Sequence, residues 1–271
     1  MRTIRLIALL GLAAIAGAAV FVWSGLYDIS ATDQHLPPTY WAIEMTMKHS
    51  VTRRGKRIAA PPLGAPEQVR RGLALYRMHC VQCHGAPGVA PEPFALGMTP
   101  LPVPLVQTGR EWPPEQIYWV VRHGIKMTGM PAWAFRLTDE EIWSVVAAVQ
   151  RLPYFSPEQS RGLPLERAGG GEQALTAAAP DPERGKTALR QYACSACHEI
   201  PGITGPAAHV GPPLAGIGSR QMLGGVLPNS PENLARWIRT PQQFAPLTAM
   251  PALGVTERDA RDMAAYLATL R

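Results

Sequence analysis

Two clusters of cysteine and histidine carry the chemistry that this sequence can do. Both have the pattern Cys-x-x-Cys-His, which comprises Cys80, Cys83 and His84 in the first copy and Cys194, Cys197 and His198 in the second. Together they use all four cysteines of the chain. The pattern is typical of c-type haem attachment, in which the two thiols bond to the vinyl groups of one porphyrin and the histidine binds its iron. The sequence therefore predicts two covalently bound c-type haems.

Other uses of paired cysteines fit this spacing less well. The cysteine pairs of a zinc ribbon usually lie about 15–20 residues apart, whereas 110 residues separate Cys83 from Cys194. A thioredoxin-like redox pair needs one Cys-x-x-Cys and no fixed histidine. Structural disulfides would leave both histidines without a role. Haem attachment is the interpretation that uses every residue of both motifs.

On these motifs the chain resembles the class I cytochrome c family, in two tandem copies. The resemblance covers residues 66–155 and 183–271 and implies an all-α fold packed around each haem. It also implies a methionine as the sixth ligand of each iron, because a low-spin electron-transfer haem takes two protein ligands. Met130 and Met250 match that position, each in a Met-Pro-Ala triplet shortly before the last predicted helix of its copy.

The sixth ligand has rivals in both copies. Met127 lies three residues before Met130, Met98 lies in a proline-rich stretch, and His123 ends a predicted helix. In the second copy, His209 lies just before a Gly-Pro sequence. The expected role of Met127 is packing at the haem edge.

The family resemblance also implies a partner for the axial histidine. In the family, a proline carbonyl in a Gly-Pro loop accepts the free ring N–H of that histidine and fixes its orientation. Pro212, which follows Gly211, matches this position in the second copy. The first copy has no such sequence after His84. Its proline-rich stretch over 91–104 is the candidate replacement, with the accepting carbonyl left open.

Helical patterns flank both motifs, as positioning the ligands requires. In the first copy we predict helices over 68–79, 113–123 and 138–152, and in the second over 184–192 and from Ser230 and Thr256 onward. Gly72 and Tyr76 match the small and aromatic residues at which the family's first and last helices cross. Thr138 and Glu141 are spaced as a capping box. His79, beside the first motif, is expected at the surface.

The N-terminus has the pattern of a membrane segment. Arg2 and Arg5 precede 22 uncharged residues over 6–27, which is long enough to cross a bilayer core. We predict an uncleaved signal-anchor over 1–27, with the arginines in the cytoplasm. The alternative is a signal peptide cleaved near Ala18, but the apolar run continues past that site through Trp23.

Two further segments are predicted outside the haem domains. Residues 28–65 form an amphipathic basic connector, which is either solvated or lies on anionic lipid or a membrane partner. Residues 156–182 form a linker rich in Gly, Ala and Pro, a flexible composition. This linker predicts that the two haem domains are separate units.

The functional prediction is a membrane-anchored dihaem electron carrier rather than an enzyme. The expected location is the bacterial cytoplasmic membrane, with a single span and the haem domains in the periplasm. The expected redox partners are a quinol-oxidising complex or periplasmic dehydrogenase as donor and a terminal oxidase as acceptor. The alternatives are an integral cytochrome subunit of a dehydrogenase or oxidase complex and, with less support, a dihaem peroxidase or thiosulfate-oxidising enzyme.

Charge excludes one further class of partner. The net charge of +6 comes largely from residues 1–65, which hold seven basic and three acidic residues. Neither haem domain has a dense basic face, so nucleic-acid binding is not expected.

Overall fold

A computed structural model describes residues 2–162, 179–205 and 210–271 of the chain. The described part is mostly helical, which confirms the predicted all-α class. In chain order the α-helices are α1 Arg2–Ser24, α2 Pro37–Gly55, α3 Pro66–His79, α4 Val81–His84, α5 Leu105–Glu111, α6 Pro114–His123, α7 Asp139–Arg151, α8 Pro157–Arg161, α9 Pro182–Gln191, α10 Pro231–Arg239, α11 Pro241–Phe244 and α12 Glu257–Thr269. Two short antiparallel strands, β1 Met222–Leu223 and β2 Leu227–Pro228, form a hairpin.

The N-terminal helix α1 stands apart from the packed domains. None of its residues is buried, although its sequence is almost entirely apolar. Within the described residues it is the one helix long and apolar enough to cross a membrane. It is a candidate membrane anchor, as the sequence predicts.

Helix α2 lies against the first haem domain at its C-terminal end. Val51 is buried there, and Gly55 packs against Gln116 of α6. The guanidinium group of Arg54 lies 5.7 Å from the ring centre of Trp119, also on α6. The N-terminal half of α2 leaves Tyr40 and other large apolar side chains exposed. The predicted connector thus contains a helix with one docked end and one exposed apolar end.

The first domain is built on the crossing of α3 and α7. The backbones approach so closely that a Cβ atom at Gly72 would collide with the carbonyl oxygen of Ser144. Tyr76 is fully buried beside this crossing, as the family resemblance implies. Helix α7 begins at the predicted capping box, in which Thr138 and Glu141 bond reciprocally. These contacts hold together the helix before the first motif, α3, and the last helix of the domain, α7.

The second domain repeats the same crossing. Helices α9 and α12 meet where a Cβ atom at Gly185 would collide with the carbonyl oxygen of Asp262. Thr256 caps α12 by accepting a hydrogen bond from the backbone N–H of Asp259. The core of this domain includes Leu189, Met263 and residues of α10. The repeat of a glycine-mediated helix crossing agrees with the predicted tandem organisation.

The two domains touch each other, which differs from the expectation of separate units. Arg136 of the first domain pairs with Asp259 of the second at 2.6 Å. Part of the predicted linker is also ordered, because Ser156 and Gln159 form a capping box at the start of α8. The glycine-rich part of the linker, residues 163–178, lies outside the described residues. Composition alone could not reveal the contact, because its partners are distant in sequence.

Candidate haem-binding sites

Both Cys-x-x-Cys-His motifs fold into one tight turn after a helix. In the first, the backbone N–H groups of Cys83 and His84 donate to the carbonyl of Cys80 at 3.1 and 2.9 Å. In the second, Cys197 and His198 donate to the carbonyl of Cys194 at 3.2 and 3.0 Å. The motifs therefore share a backbone hydrogen-bond pattern, which gives the thiols and the imidazole the same order around the turn.

The four thiols are free and three of them are only partly exposed. Burial raises the pKa of the Cys80 thiol to about 12 and that of Cys194 to about 11. These two thiols are therefore protonated at neutral pH. Among the described residues, no group of three or more His, Cys, Asp or Glu side chains could hold a metal ion. Each motif thus offers two free thiols, as thioether attachment to one porphyrin requires.

Each motif histidine has one ring nitrogen engaged by the backbone. His198 Nδ1 lies 2.8 Å from the carbonyl oxygen of Pro212, the contact that the Gly-Pro sequence predicts. His84 Nδ1 lies 2.8 Å from the carbonyl oxygen of Val103. A carbonyl only accepts, so Nδ1 donates its proton and Nε2 keeps its lone pair. In both motifs the second nitrogen is left able to bind iron.

Val103 supplies the carbonyl that accepts from the His84 ring in the first copy. It lies within the proline-rich stretch 91–104, where the sequence left the carbonyl unassigned. The side chain of this residue plays no part in the contact, so its type gave no signal. The two domains reach the same imidazole geometry through loops of different sequence.

A tyrosine hydroxyl holds the chain after each motif. Tyr76 donates to the carbonyl of Gly85 at 2.7 Å, and Tyr266 donates to the carbonyl of Pro201 at 2.7 Å. Tyr76 lies on the first helix of its domain and Tyr266 on the last helix of the other. Burial strongly raises the pKa of Tyr76, so its hydroxyl remains a donor. Neither hydrogen bond was predicted from the sequence.

The two candidate methionines lie in matching turns. The backbone N–H of Met130 donates to Thr128 Oγ1 at 3.1 Å, and that of Met250 donates to Thr248 Oγ1 at 3.2 Å. The shared pattern is therefore Thr-x-Met-Pro-Ala, two residues longer than the triplet used in the sequence analysis. Both methionines are partly buried. The repeated threonine was a readable signal that the analysis missed.

The rival methionines of the first copy occupy different surroundings. Met127 is 89% exposed and has a backbone φ of 60°, in the left-handed region. Met98 has its sulfur beside Gly129, so close that a Cβ atom there would lie 2.9 Å from it. Met130 packs against the core of the domain. Met98 thus enters the same loop as Met130, which its place in the sequence did not suggest.

Several histidine and tryptophan rings near the two sites contact other rings of the protein. His79 is half-buried rather than at the surface, because its ring packs 4.9 Å from that of Trp133. Trp237 stacks with Phe244 at 6.3 Å, and Trp119 lies 5.1 Å from His123. Both tryptophans therefore pack against a ring of their own domain. His209 lies outside the described residues.

The surroundings of both motifs suit an apolar macrocycle. Large apolar side chains are exposed in the segments that contact or flank the candidate ligands, namely Phe94, Leu101, Val103, Val210, Leu247 and Leu253. A cleft of about 410 Å³ lies beside His198 and is lined largely by apolar residues such as Ile200 and Ile203. Exposed apolar surface of this kind typically marks a binding site. The residues present therefore fit a covalently attached haem in each domain.

Comparison with known proteins supports the same assignment for both halves. Residues 67–147 match the family model described as cytochrome c oxidase, cbb3-type, subunit III, and residues 182–271 match the family model described as cytochrome c. Cytochrome c oxidase subunit 2 of Alkalihalophilus pseudofirmus is 37% identical over 89 residues, which cover 32% of this chain. The match spans about a quarter (25%) of that relative's length. The chain therefore contains two cytochrome c-type domains in tandem, behind an N-terminal candidate membrane anchor.

Proposed function

We propose that the protein is a membrane-anchored dihaem cytochrome c that carries single electrons on the periplasmic side of the bacterial cytoplasmic membrane. Its donor would be a quinol-oxidising complex or a dehydrogenase, and its acceptor a terminal oxidase. The observation that carries the proposal is the repeated geometry of the two domains: a Cys-x-x-Cys-His turn, an imidazole fixed by a backbone carbonyl, and a methionine in a Thr-x-Met turn.

The proposed site residues divide into attachment and ligation. Cys80 and Cys83 would hold the first haem by thioether bonds, and Cys194 and Cys197 the second. His84 with Met130, and His198 with Met250, would be the axial ligands. Haem iron supplies reversible one-electron chemistry when it is bound. The domain boundaries that we propose for these two units are 66–155 and 183–271.

Backbone carbonyls and the buried cores would hold the protein ligands of each bound iron in a fixed position. The carbonyls of Val103 and Pro212 fix the tautomer and orientation of the two imidazoles. The buried cores around Tyr76 and Met263 limit the entry of water. A thioether opposite histidine raises the reduction potential, which suits a carrier near the oxidising end of a respiratory chain. No side chain needs to act as an acid, base or nucleophile.

The second candidate function is an integral cytochrome subunit of an oxidase complex. Both the family model matched by residues 67–147 and the relative matched over 89 residues carry the names of oxidase subunits. The site chemistry is the same in the two cases, and only the assembly differs. Purification of the full chain in mild detergent separates them. The carrier is expected alone, whereas a subunit is expected with stoichiometric oxidase subunits.

An enzyme would need an open or exchangeable position on one iron. The matched methionine turns in both domains argue against a dihaem peroxidase or a thiosulfate-oxidising enzyme. Carbon monoxide binding to the reduced protein tests this directly. The proposal expects no stoichiometric binding at either iron and no turnover of peroxide. Binding at one iron together with peroxide turnover would overturn it.

The location is tested on membranes rather than on purified protein. If α1 spans the membrane, the full chain should stay with membranes after washing in high salt, which screens surface charge. N-terminal sequencing should then still find the residues of α1. A soluble mature protein that begins near Ala19 would instead indicate a cleaved signal peptide and a free periplasmic carrier.

A further inference from the structure

The segment that follows Met130 reaches across to the second domain. Residues 133–136 form a 3₁₀ turn and the residue after it, between the methionine turn and helix α7. Trp133 anchors this segment in its own domain by packing on His79. The next three residues, Ala134, Phe135 and Arg136, all contact side chains of the second domain.

Arg136 supplies the positive charge for a buried carboxylate of the other domain. Its Nη1 donates to Asp259 Oδ2 at 2.6 Å, and Asp259 is only 1% exposed. Tyr192 donates its hydroxyl to the same oxygen at 2.9 Å. The guanidinium group of Arg136 also lies 5.2 Å from the ring centre of Tyr192. A carboxylate at this depth is costly without a paired charge, and Arg136 offsets part of that cost from the first domain.

Arg184 makes the reciprocal contact from the second domain. Its guanidinium carbon lies 5.3 Å from the ring centre of Phe135, and its Nη1 donates to the carbonyl of Ala134 at 3.4 Å. Its Nε is held at 2.9 Å by Asp262, which is also buried. Each domain thus presents one arginine to an aromatic ring of the other. The reciprocity distinguishes this contact from chance surface proximity.

We propose that these residues form a docking site that holds the two domains in one fixed arrangement. The second domain thereby braces the segment carrying Met130, that is, it limits the motion of that segment. The partner of the surface formed by Phe135 and Arg136 is the surface formed by Arg184, Tyr192 and Asp259 in the same chain. The docking itself is independent of electron transfer. The bracing of Met130 rests on the proposed function, because it matters only where that methionine is a ligand.

The test uses the full chain, with and without Arg136→Met, and follows backbone hydrogen exchange by mass spectrometry. Methionine keeps an unbranched apolar stem and removes the charge. We expect exchange to accelerate on the order of tenfold in residues 133–137 and, across the contact, in residues 256–262. Phe135→Leu, which removes the ring beneath Arg184, should produce the same pattern in residues 182–191. The second variant keeps the test valid if the first does not fold.

Arg122→Met is the matched control. Arg122 also pairs with a carboxylate, Asp139, and lies 6.0 Å from the ring centre of a tyrosine, Tyr118, but all three belong to the first domain. Its loss should leave exchange in 256–262 unchanged. If Arg136→Met and Phe135→Leu also leave the second domain unchanged, the docking proposal is wrong.

A separate readout distinguishes bracing from docking. In the oxidised protein, the sulfur–Fe(III) absorption of the first haem should disappear at a lower temperature in Arg136→Met than in Arg122→Met. If exchange changes across the contact but this absorption does not, docking stands and bracing fails. If the first haem has no sulfur ligand at all, the ligand assignment fails while the exchange result still decides docking.

Discussion

His84 Nδ1 lies 2.8 Å from the carbonyl oxygen of Val103, and the counterpart of Val103 in the second domain is Pro212. Both acceptors precede a Pro-Leu pair, but only Pro212 follows a glycine. A backbone carbonyl can be supplied by any residue type, so the loop that carries it is free to differ. The two domains share the position of the acceptor and the Pro-Leu pair after it, but not the Gly-Pro sequence. The ligands of the two haems can therefore be tested separately, one domain at a time.

The close approach of Gly211 to His198 makes the second site sensitive to a single methyl group. A Cβ atom at Gly211 would collide with the imidazole ring. Gly211→Ala should therefore displace the ring, weaken its bond to iron and alter the absorption spectrum and potential of one haem. The haem of the first domain is the internal control and should keep its spectrum. A variant with two unchanged haem spectra would show that His198 is not held as described.

The methionine turns predict which sulfur binds the first iron. Met130→Leu should remove about half of the weak sulfur–Fe(III) absorption of the oxidised protein and lower the potential of one haem, because the soft thioether favours Fe(II). It should also open that iron to carbon monoxide. Met250→Leu should do the same at the second haem.

Met127→Leu and Met98→Leu are the matched controls for this assignment. Met127 is 89% exposed, so its replacement should leave both spectra unchanged. Met98 lies beside the Met130 turn, and its replacement should shift the potential less than the replacement of Met130. A complete loss of the sulfur signal from the first haem in Met98→Leu would reassign the ligand.

The helix crossings predict a stability cost for two alanine substitutions. Gly72→Ala and Gly185→Ala would each place a methyl group against the carbonyl oxygen of the facing helix. Overpacking of this kind typically costs roughly 1–3 kcal/mol, and each variant should unfold at lower denaturant concentration. Gly97→Ala, where the added atom would meet nothing within 4 Å, should leave the unfolding midpoint unchanged. Equal midpoints for Gly72→Ala and Gly97→Ala would contradict the crossing.

Two neighbouring arginines on α3 should differ in their contribution to stability. Arg71 pairs at 3.1 Å with Glu141, whose side chain is only 3% exposed, whereas Arg70 pairs with Glu67 in a largely exposed contact. Arg71→Met should cost roughly 1–3 kcal/mol, because it leaves a buried carboxylate with less compensation. Arg70→Met should cost less, because both partners of its ion pair lie largely in solvent. Chemical denaturation measures the free energy of unfolding of both variants. A larger loss of stability in Arg70→Met than in Arg71→Met would contradict the prediction.

The sequence predicted the local motifs of the site better than the groups that these motifs contact in the fold. The motif histidines, the Met-Pro-Ala triplets and the Thr138 capping box are local patterns, and local patterns follow from residue type and spacing. The Gly-Pro sequence predicted the Pro212 carbonyl for the same reason. The Val103 carbonyl was not predicted, because the first copy lacks the Gly-Pro sequence. The Pro-Leu pair that follows both acceptors was a readable signal that went unused.

Contacts between distant parts of the chain were not predicted from the sequence. Arg136 and Asp259 are 123 residues apart, and each is an ordinary charged residue in its own segment. The flexible composition of the linker favoured separate domains, but a linker sets only how far the domains can move. Whether they dock depends on the surfaces they present. The half-burial of His79 escaped prediction likewise, because its partner Trp133 is brought near only by the fold.

The central claim is that this chain carries two covalently attached haems, one in each domain. The most direct test is the intact mass of the purified full chain after denaturation, compared with the mass of the polypeptide. The account predicts a difference of two haem groups, and a difference of one group when Cys80 and Cys83 are both replaced by alanine. A wild-type chain that holds one haem, or none that survives denaturation, would contradict it.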